Sequence, residues 1–212
     1  MRDHEATAAD PVQVGGDAWL GPSAVLVPVK RFSEAKGRLA PALSPAERAT
    51  LARHMASRVI RSAGALPVAV VCDDREVAAF ARELGALVVW EPGRGLNGAV
   101  QEGIRRLGQA GVELAVVAAG DLPLADDLGW VTRFAGMTIV PDRRHEGTNV
   151  ISVPTDGRFQ MSYGPGSFAR HLDQARMLGL PVRVVNAPRL AWDVDLPSDL
   201  SAYSGRPWAS RP

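Results

Sequence analysis

Short apolar runs alternate along the chain with longer segments in which apolar residues recur at the spacing of one helix face. The runs have the length and composition of buried strands. The predicted strands are residues 24–29, 67–72, 86–90, 114–119, 137–140, 150–153 and 182–185. The predicted helices are residues 45–63, 75–84, 98–107, 167–178 and 197–203. This alternation predicts an α/β fold, with a mainly parallel (mixed) sheet and helices on both faces.

Local signals support several of the helix starts. Ser44 followed by Pro45 and Glu47 has the pattern of a capping box with proline in the first turn. Asp74 precedes the second helix, and Asn97 is expected to cap the third. Gly64 and Gly85 follow predicted helix ends, where glycine is the favoured residue.

Length and composition predict one domain with loose ends. The 212 residues suit a single folded unit, which we place at residues 23–203 between a disordered tail at 1–22 and a loose tail at 204–212. A net charge of +1 disfavours nucleic-acid binding, and one cysteine excludes an internal disulfide or a thiolate-rich zinc site. Without a long apolar run or a targeting signal, we expect no membrane span and a cytoplasmic protein.

Cations follow the first predicted strand. Ligands of parallel α/β folds bind beyond the carboxyl ends of the strands. The loop at residues 30–39 places Lys30, Lys36 and Arg38 at that end, with Glu34 as its one acid. Such a loop suits a polyphosphate, although a solvated surface loop is the alternative interpretation. The glycine patterns of dinucleotide-binding folds and of P-loops do not follow this strand.

Acidic residues follow the fourth strand and recur near the C-terminus. Asp121 comes directly after Gly120, and Asp193 and Asp195 lie two residues apart on a segment expected to be extended. Carboxylates together with phosphates and water are the ligands that Mg²⁺ prefers. Asp121 and Asp193 are therefore the candidate Mg²⁺ ligands. The alternatives are a helix cap for Asp121 and a cap of the final short helix for Asp195.

Two further segments carry candidate ligand-binding groups. Gly164 and Ser167 belong to a Gly-Pro-Gly-Ser turn entering a helix, whose free N–H groups and hydroxyl suit an anion, and Thr148 adds a hydroxyl. An ordinary turn with an N-cap is the alternative. The loop at 92–98 suits a guanine base read by Asn97, or is a plain helix-start loop. The cations at 143–145 are expected in a solvated loop, and His171 on the surface.

In chain order, these segments resemble one enzyme family. The specific segments are Val27-Pro28-Val29-Lys30, Lys36-Gly37-Arg38-Leu39-Ala40-Pro41 and Ser162-Tyr163-Gly164-Pro165-Gly166-Ser167, while Gly-Asp-Leu-Pro and Asp-Val-Asp mark the wider superfamily. Residues 24–203 resemble the CofC-type guanylyltransferases of coenzyme F-420 biosynthesis, within the MobA-like nucleotidyltransferases. The resemblance implies a nucleotide-diphospho-sugar-transferase-like (Rossmann-like) fold.

The resemblance also implies a reaction and the residues for it. GTP and phosphoenolpyruvate would give enolpyruvoyl-2-diphospho-5'-guanosine and pyrophosphate, with 2-phospho-L-lactate or 3-phospho-D-glycerate as alternative acceptors. By position, Asp121 and Asp193 match metal ligands, and Lys30, Lys36 and Arg38 match the basic loop. The acceptor contacts implied are Thr148, Gly164 and Ser167. Gly166 and Asn149 depart from the family pattern and bear on the acceptor. Because such diphosphates are labile, transfer to the next enzyme of the pathway is expected.

Three other function classes stay open on the sequence alone. A metal-dependent glycosyltransferase also uses Asp-Val-Asp, but usually in mid-chain, and a molybdenum-cofactor guanylyltransferase usually has a glycine-rich first loop. A non-catalytic module would bind GTP and magnesium without releasing pyrophosphate. Pyrophosphate release in the presence of an acceptor distinguishes these classes.

Overall fold

The computed structural model describes residues 20–202, with side chains to residue 200. The remainder of both predicted tails lies outside the described residues. The described chain begins at Leu20, which packs against the core, and the Pro22 carbonyl accepts hydrogen bonds from the N–H groups of Glu113 and Leu114. Within residues 20–202, no helix is long and apolar enough to span a membrane.

All seven predicted strands are present, with ends shifted by one or two residues. The strands are β1 Ser23–Pro28, β2 Val68–Cys72, β3 Leu87–Trp90, β4 Leu114–Ala118, β5 Met137–Pro141, β6 Thr148–Pro154 and β7 Val182–Val184. The helices are α1 Pro45–Ser62, α2 Arg75–Glu83, α3 Gly95–Gln109, α4 Ser167–Met177 and α5 Pro197–Ala202. Three short 3-10 helices, which the sequence did not predict, are Phe32–Glu34, Gly37–Leu39 and Gly129–Arg133.

The strands form one mixed sheet in the order β3-β2-β1-β4-β6-β5-β7. Strands β1 to β4 pair in parallel with one another, and β7 runs parallel to β5. Strand β6 is antiparallel to both β4 and β5, so its first residues lie at the edge where β1 and β4 end. The predicted mainly parallel, mixed sheet is confirmed.

Helices cover both faces of the sheet, as predicted. On β1, Val25 and Val27 face a core built with α1 and α2, while Ala24 and Leu26 face the core built with α3 and α4. Gly103 lets α3 approach β1 closely, because a Cβ there would lie 2.7 Å from a methyl carbon of Leu26. Each large apolar side chain buried in this way contributes roughly 1.5–3 kcal/mol.

The predicted helix starts are correct in two cases and wrong in one. Ser44 and Glu47 form a capping box at α1, and the Asp74 carboxylate caps α2. Asn97 does not cap α3, because the helix begins at Gly95, three residues before the predicted start, with Arg94 at the N-cap position. The Asn97 side chain is instead bonded to the backbone of Tyr163.

Candidate active site

A cleft of about 410 Å³ opens at the edge where β1 and β4 end and β6 begins. Its position agrees with the rule that α/β folds bind ligands beyond the carboxyl ends of their strands. The polar and charged residues that line it are Lys30, Glu34, Lys36, Arg38, Asp121, Thr148, Tyr163 and Asp195. The fold therefore brings the predicted basic loop, one predicted metal ligand and Thr148 together.

Lys36 is the most constrained cation in the cleft. Its Nζ donates hydrogen bonds to Asp121 Oδ2 at 2.6 Å and to Asp195 Oδ1 at 3.0 Å, and its side chain is 8% exposed. Burial alone would lower the pKa of Lys36, but the charges and hydrogen bonds of Asp121 and Asp195 outweigh it and raise the pKa. Its backbone is left-handed, with φ +56°, which is an uncommon conformation for a residue with a side chain. Lys36 is therefore a fixed positive charge.

Lys30 and Arg38 are less constrained. Lys30 is exposed at the end of β1 and makes no ion pair within the described part of the chain. Arg38 is 76% exposed at its side chain and lies 3.8 Å from Asp195. Both cations line the cleft and are free to turn toward an anion.

Gly120 determines how Asp121 enters the cleft. A Cβ at Gly120 would lie 3.0 Å from the Pro28 carbonyl oxygen and 3.5 Å from a methyl of Val29. The chain leaving β4 therefore passes directly against the end of β1, which brings Asp121 next to the loop that carries Lys36. The pattern Gly-Asp after a buried strand thus has a packing reason.

Four carboxylates lie close enough to influence one another at this end of the sheet. Burial raises the pKa of Asp193, and the negative charges of Asp121, Asp195 and Asp142 raise it further. Lys36 is paired with Asp121 and Asp195. The site thus carries more negative charge than that one buried lysine neutralises.

The segment with Asp193 and Asp195 is fixed by Asp199 and Arg143. The Asp199 carboxylate accepts hydrogen bonds from the N–H groups of Asp195 and Leu196, which holds the backbone that leads into α5. Arg143 donates to Asp199 at 2.8 Å and stacks over the Trp192 ring at 3.8 Å. The prediction that Arg143 lies in a solvated loop is therefore wrong.

The carboxylates suit a divalent cation. Asp121 and Asp193 offer hard oxygen ligands, and their mutual repulsion is relieved when a cation binds. Within residues 20–200, no group of three or more acidic, histidine or cysteine side chains forms a ready-made metal site. Mg²⁺ commonly takes one or two protein carboxylates and completes its shell with phosphates and water.

Thr148 lines the cleft, and Ser167, which does not line it, lies next to Thr148. The Thr148 N–H donates to Ser167 Oγ at 3.1 Å, and both residues are buried. The N–H of Ser167 donates to Gly164, and that of Phe168 donates to Glu146. The prediction that the N–H groups at the start of α4 are free to bind an anion is therefore wrong for Ser167 and Phe168. The hydroxyls of Thr148 and Ser167 remain as candidate contacts.

His171 is buried behind Thr148, and the prediction that it lies on the surface is wrong. It is 0% exposed, and its ring packs edge-on against Tyr163 at 5.3 Å. Burial, together with the nearby charge of Arg170, lowers the pKa of His171 to about 4. The imidazole is therefore neutral at physiological pH.

Asn97 fixes the loop that precedes α4. Its Oδ1 accepts from the Tyr163 N–H at 2.6 Å, and its Nδ2 donates to the Tyr163 carbonyl at 3.2 Å. One N–H and one lone pair of the Asn97 amide are left for other partners. The Tyr163 hydroxyl is buried without a hydrogen-bond partner within the described residues, and its burial raises its pKa.

The buried His171 predicts a loss of stability in acid. The unfolded chain takes up a proton at this histidine below pH 6.5, whereas the folded chain resists protonation down to about pH 4. Stability therefore falls as the pH drops through this window, by about 3 kcal/mol for this group. Urea unfolding at pH 7 and pH 4 measures this loss. Between these two pH values, the free energy of unfolding should fall by about 3 kcal/mol less in His171→Asn than in the wild type.

The exposed His145 provides the control for that experiment. His145→Gln should retain the pH dependence of the wild type. Equal losses of stability in the wild type and His171→Asn would contradict the lowered pKa.

The family of the chain follows from comparison with known proteins. A family profile described as "Guanylyl transferase CofC like" matches residues 23–203. The chain belongs to this CofC-like guanylyl transferase family. The family predicted from the sequence motifs is thereby confirmed.

Individual relatives of this CofC-like chain agree with that assignment. The phosphoenolpyruvate guanylyltransferase of Rubrobacter xylanophilus is 40% identical over 185 residues, which cover 83% of this chain and 90% of that protein. The 2-phospho-L-lactate guanylyltransferase of Methanocaldococcus jannaschii is 27% identical over 182 residues, covering 83% and 80%.

A solved structure confirms the predicted fold. A putative nucleotide-diphospho-sugar transferase from Desulfovibrio desulfuricans superposes with a TM-score of 0.70 at 18% identity, covering 89% of both chains. The CofC-like chain therefore has the nucleotide-diphospho-sugar-transferase fold that the motifs implied.

The sequence motifs did not identify the residues that hold other site residues in position. His171 had a usable signal, because Ser167, His171 and Ala175 recur every four residues and share the buried face of α4. The roles of Asn97, Arg143 and Asp199 had none, because their partners lie on other elements or depend on a turn that the sequence does not define.

Proposed function

We propose that this CofC-like chain joins GTP to phosphoenolpyruvate and releases pyrophosphate. The product is enolpyruvoyl-2-diphospho-5'-guanosine, a precursor in coenzyme F-420 biosynthesis. One observation carries the proposal: a single cleft contains the cations of the loop at 30–39, the carboxylate of Asp121 and the hydroxyl of Thr148. The name of the Rubrobacter relative supports phosphoenolpyruvate as the acceptor.

The chemistry needs alignment and charge neutralisation more than proton transfer. A phosphate oxygen of the acceptor attacks the α-phosphorus of GTP, and the bond from that phosphorus to the β-phosphate oxygen breaks. Pyrophosphate leaves with its electron pair, and no water is consumed. Because the acceptor oxygen is already anionic, a general base is not required. The protein contributes by orienting the two phosphates and stabilising charge that develops on the leaving group.

The cations supply this stabilisation. Lys30 and Arg38 have exposed charged groups that can follow the triphosphate as it binds. Lys36 is already fixed by Asp121 and Asp195, so its ammonium costs little reorganisation when negative charge develops nearby. The three residues together oppose the charge on pyrophosphate, and Asn97 and the loop at 92–98 are proposed to lie against the guanine.

Asp121 and Asp193 are proposed to bind Mg²⁺, with Asp195 beside them. When bound, Mg²⁺ neutralises phosphate charge and brings the attacking and leaving oxygens into line. Burial and then the charge of Asp121 raise the pKa of Asp193, and this unfavourable placement of two carboxylates supports the assignment.

The acceptor is proposed to bind at Thr148, Gly164 and Ser167. Thr148 lines the cleft, and the hydroxyl of Ser167 lies directly behind its backbone. Gly164 has φ +123°, a conformation that favours glycine, and follows Tyr163, which lines the cleft. Hydroxyl donors and backbone groups at these three residues would hold the acceptor's oxygens.

Ser167→Ala tests the acceptor site. The change removes the partner of the buried Thr148 N–H, so stability should fall by about 1–3 kcal/mol. The KM for the acceptor should rise about tenfold or more, while the KM for GTP stays within about twofold. Steady-state kinetics with each substrate varied in turn measures both values. An equal rise in both would remove Ser167 from the acceptor site.

Comparison of acceptors tests the function itself. Pyrophosphate release from GTP and Mg²⁺ is measured with phosphoenolpyruvate, 2-phospho-L-lactate and 3-phospho-D-glycerate at equal concentrations. We expect the highest kcat/KM with phosphoenolpyruvate. A preference for 2-phospho-L-lactate would assign the acceptor named for the Methanocaldococcus relative. Release with none of the three would reject the proposal in favour of another transferase or a binding module.

The proposal includes where the product goes. Because the diphosphate product is labile, we propose that it passes directly to the next enzyme of the pathway in the cytoplasm. Product half-life in the presence and absence of that enzyme would measure the transfer.

A further inference from the structure

The hydrogen bonding of the Thr148 hydroxyl can be worked out atom by atom from its neighbours. Thr148 lines the cleft and is 5% exposed. Within residues 20–200, its Oγ1 makes a single hydrogen bond, to Nδ1 of His171 at 3.0 Å. Which of these two atoms donates decides what the hydroxyl can offer to a ligand.

The other ring nitrogen of His171 answers this question. His171 Nε2 lies 3.0 Å from the backbone nitrogen of Ser162. A backbone N–H can only donate, so Nε2 accepts and carries no proton. The imidazole is neutral in its buried site, which places its one N–H on Nδ1. Nδ1 therefore donates to Thr148 Oγ1.

The environment of His171 holds this arrangement in place. Its ring lies 5.3 Å from the Tyr163 ring and 5.8 Å from the Phe159 ring, and both neighbours restrict its rotation. Arg170, the nearest cation, donates instead to the carbonyls of Pro165 and Ser162. The bond from Ser162 to Nε2 thus fixes the tautomer, and the ring packing fixes the direction of Nδ1.

A hydroxyl that accepts from His171 has its own proton left to donate. No protein acceptor for that proton is found in the described part of the chain. A carboxylate or phosphate oxygen accepts hydrogen bonds and cannot donate them. It is therefore attracted by the proton of this hydroxyl and repelled by its lone pairs.

We propose that His171 is a positioning residue that presents the Thr148 hydroxyl as a hydrogen-bond donor to an anionic oxygen of the acceptor. The inference rests on the proposed function, since it assigns Thr148 to the acceptor site. It adds a backbone-to-imidazole-to-hydroxyl chain, from Ser162 through His171 to Thr148. The ligand group selected is one that only accepts hydrogen bonds, and a neutral hydroxyl or amide N–H at that position binds less well.

Two substitutions of His171 separate its two hydrogen bonds. His171→Asn places an amide N–H near the position of Nδ1 and removes the acceptor for Ser162. His171→Gln reaches the position of Nε2 and removes the donor to Thr148. We expect His171→Gln to raise the KM for the acceptor about tenfold and His171→Asn to raise it less than about threefold, with the KM for GTP unchanged in both.

A double-mutant cycle tests whether His171 acts through Thr148. Thr148→Val alone should raise the acceptor KM by about thirtyfold, because the donor itself is lost. Adding His171→Gln to Thr148→Val should change it by less than about twofold. Additive effects, or equal effects of His171→Asn and His171→Gln, would show a merely structural role and overturn the proposal.

A spectroscopic measurement on the wild-type protein does not depend on turnover. In ¹⁵N-labelled protein, His171 should show a one-bond coupling to hydrogen at Nδ1 and none at Nε2. His171→Asn assigns the signal among the four histidines. A proton on Nε2 overturns the inference even if the chain turns over phosphoenolpyruvate. If the proton is found on Nδ1 but no acceptor is turned over, the proposed function is rejected and the hydrogen-bond arrangement of His171 still holds.

Discussion

Asp121→Asn is expected to lower kcat on the order of a thousandfold while the chain stays folded. The substitution preserves shape but removes the charge that pairs with Lys36 at 2.6 Å and that is proposed to bind Mg²⁺. Because the lost charge acts on both the proposed Mg²⁺ and Lys36, the decrease in kcat should exceed the decrease caused by losing one hydrogen bond. Steady-state pyrophosphate release and thermal unfolding measure the two quantities.

Asp193→Asn tests the proposed metal pair, and Asp126→Asn provides the control. Asp193→Asn should reduce kcat to a similar extent, because the half-buried Asp193 carboxylate is the proposed partner of Asp121. Asp126→Asn changes an exposed carboxylate that pairs with Arg189, and its activity should stay within about twofold of wild type. Near-wild-type turnover of either Asp121→Asn or Asp193→Asn would contradict the metal assignment.

Lys36→Met is expected to lower kcat about a hundredfold or more, with smaller changes in KM. The substitution leaves Asp121 and Asp195 without the ammonium that bridges them and removes a fixed charge from the cleft. Pyrophosphate release at saturating GTP and acceptor measures the loss. Arg31→Met is the matched control, because Arg31 pairs with Glu34 and Asp74 and does not line the cleft.

Lys36→Gly separates the charge of this residue from its backbone conformation. Glycine adopts φ +56° without the strain that a side chain imposes, so Lys36→Gly should unfold at a higher temperature than Lys36→Met. Both variants should be equally slow, because both lack the ammonium. Recovery of activity in Lys36→Gly would show that the backbone conformation, and not the charge, is what the site requires.

The sequence was sufficient for the elements because their signals are local. Short, largely apolar runs marked all seven strands, and the capping box at Ser44 marked the start of α1. Strand order and the antiparallel direction of β6 depend on contacts between distant segments, which periodicity does not encode. Asn97 illustrates the limit, since it has the residue type of a cap but is bonded to Tyr163 across the fold.

The candidate site was partly predictable for a similar reason. The rule that ligands bind at the carboxyl ends of strands brought Lys36 and Asp121 to one edge, although they are 85 positions apart in the chain. The rule does not give the pairing of Lys36 with Asp195, or the stacking of Arg143 on Trp192. These contacts arise from how loops pack over the sheet, and only the structure shows them.

The most direct test of the proposed reaction follows the oxygens of the acceptor phosphate. Phosphoenolpyruvate labelled with ¹⁸O at the non-bridging phosphate oxygens is incubated with GTP, Mg²⁺ and the protein, and the products are analysed by mass spectrometry. Attack by the acceptor phosphate on the α-phosphorus predicts that the guanosine diphosphate ester retains every labelled oxygen and that pyrophosphate carries none. Labelled pyrophosphate, or GDP as the nucleotide product, would contradict the account.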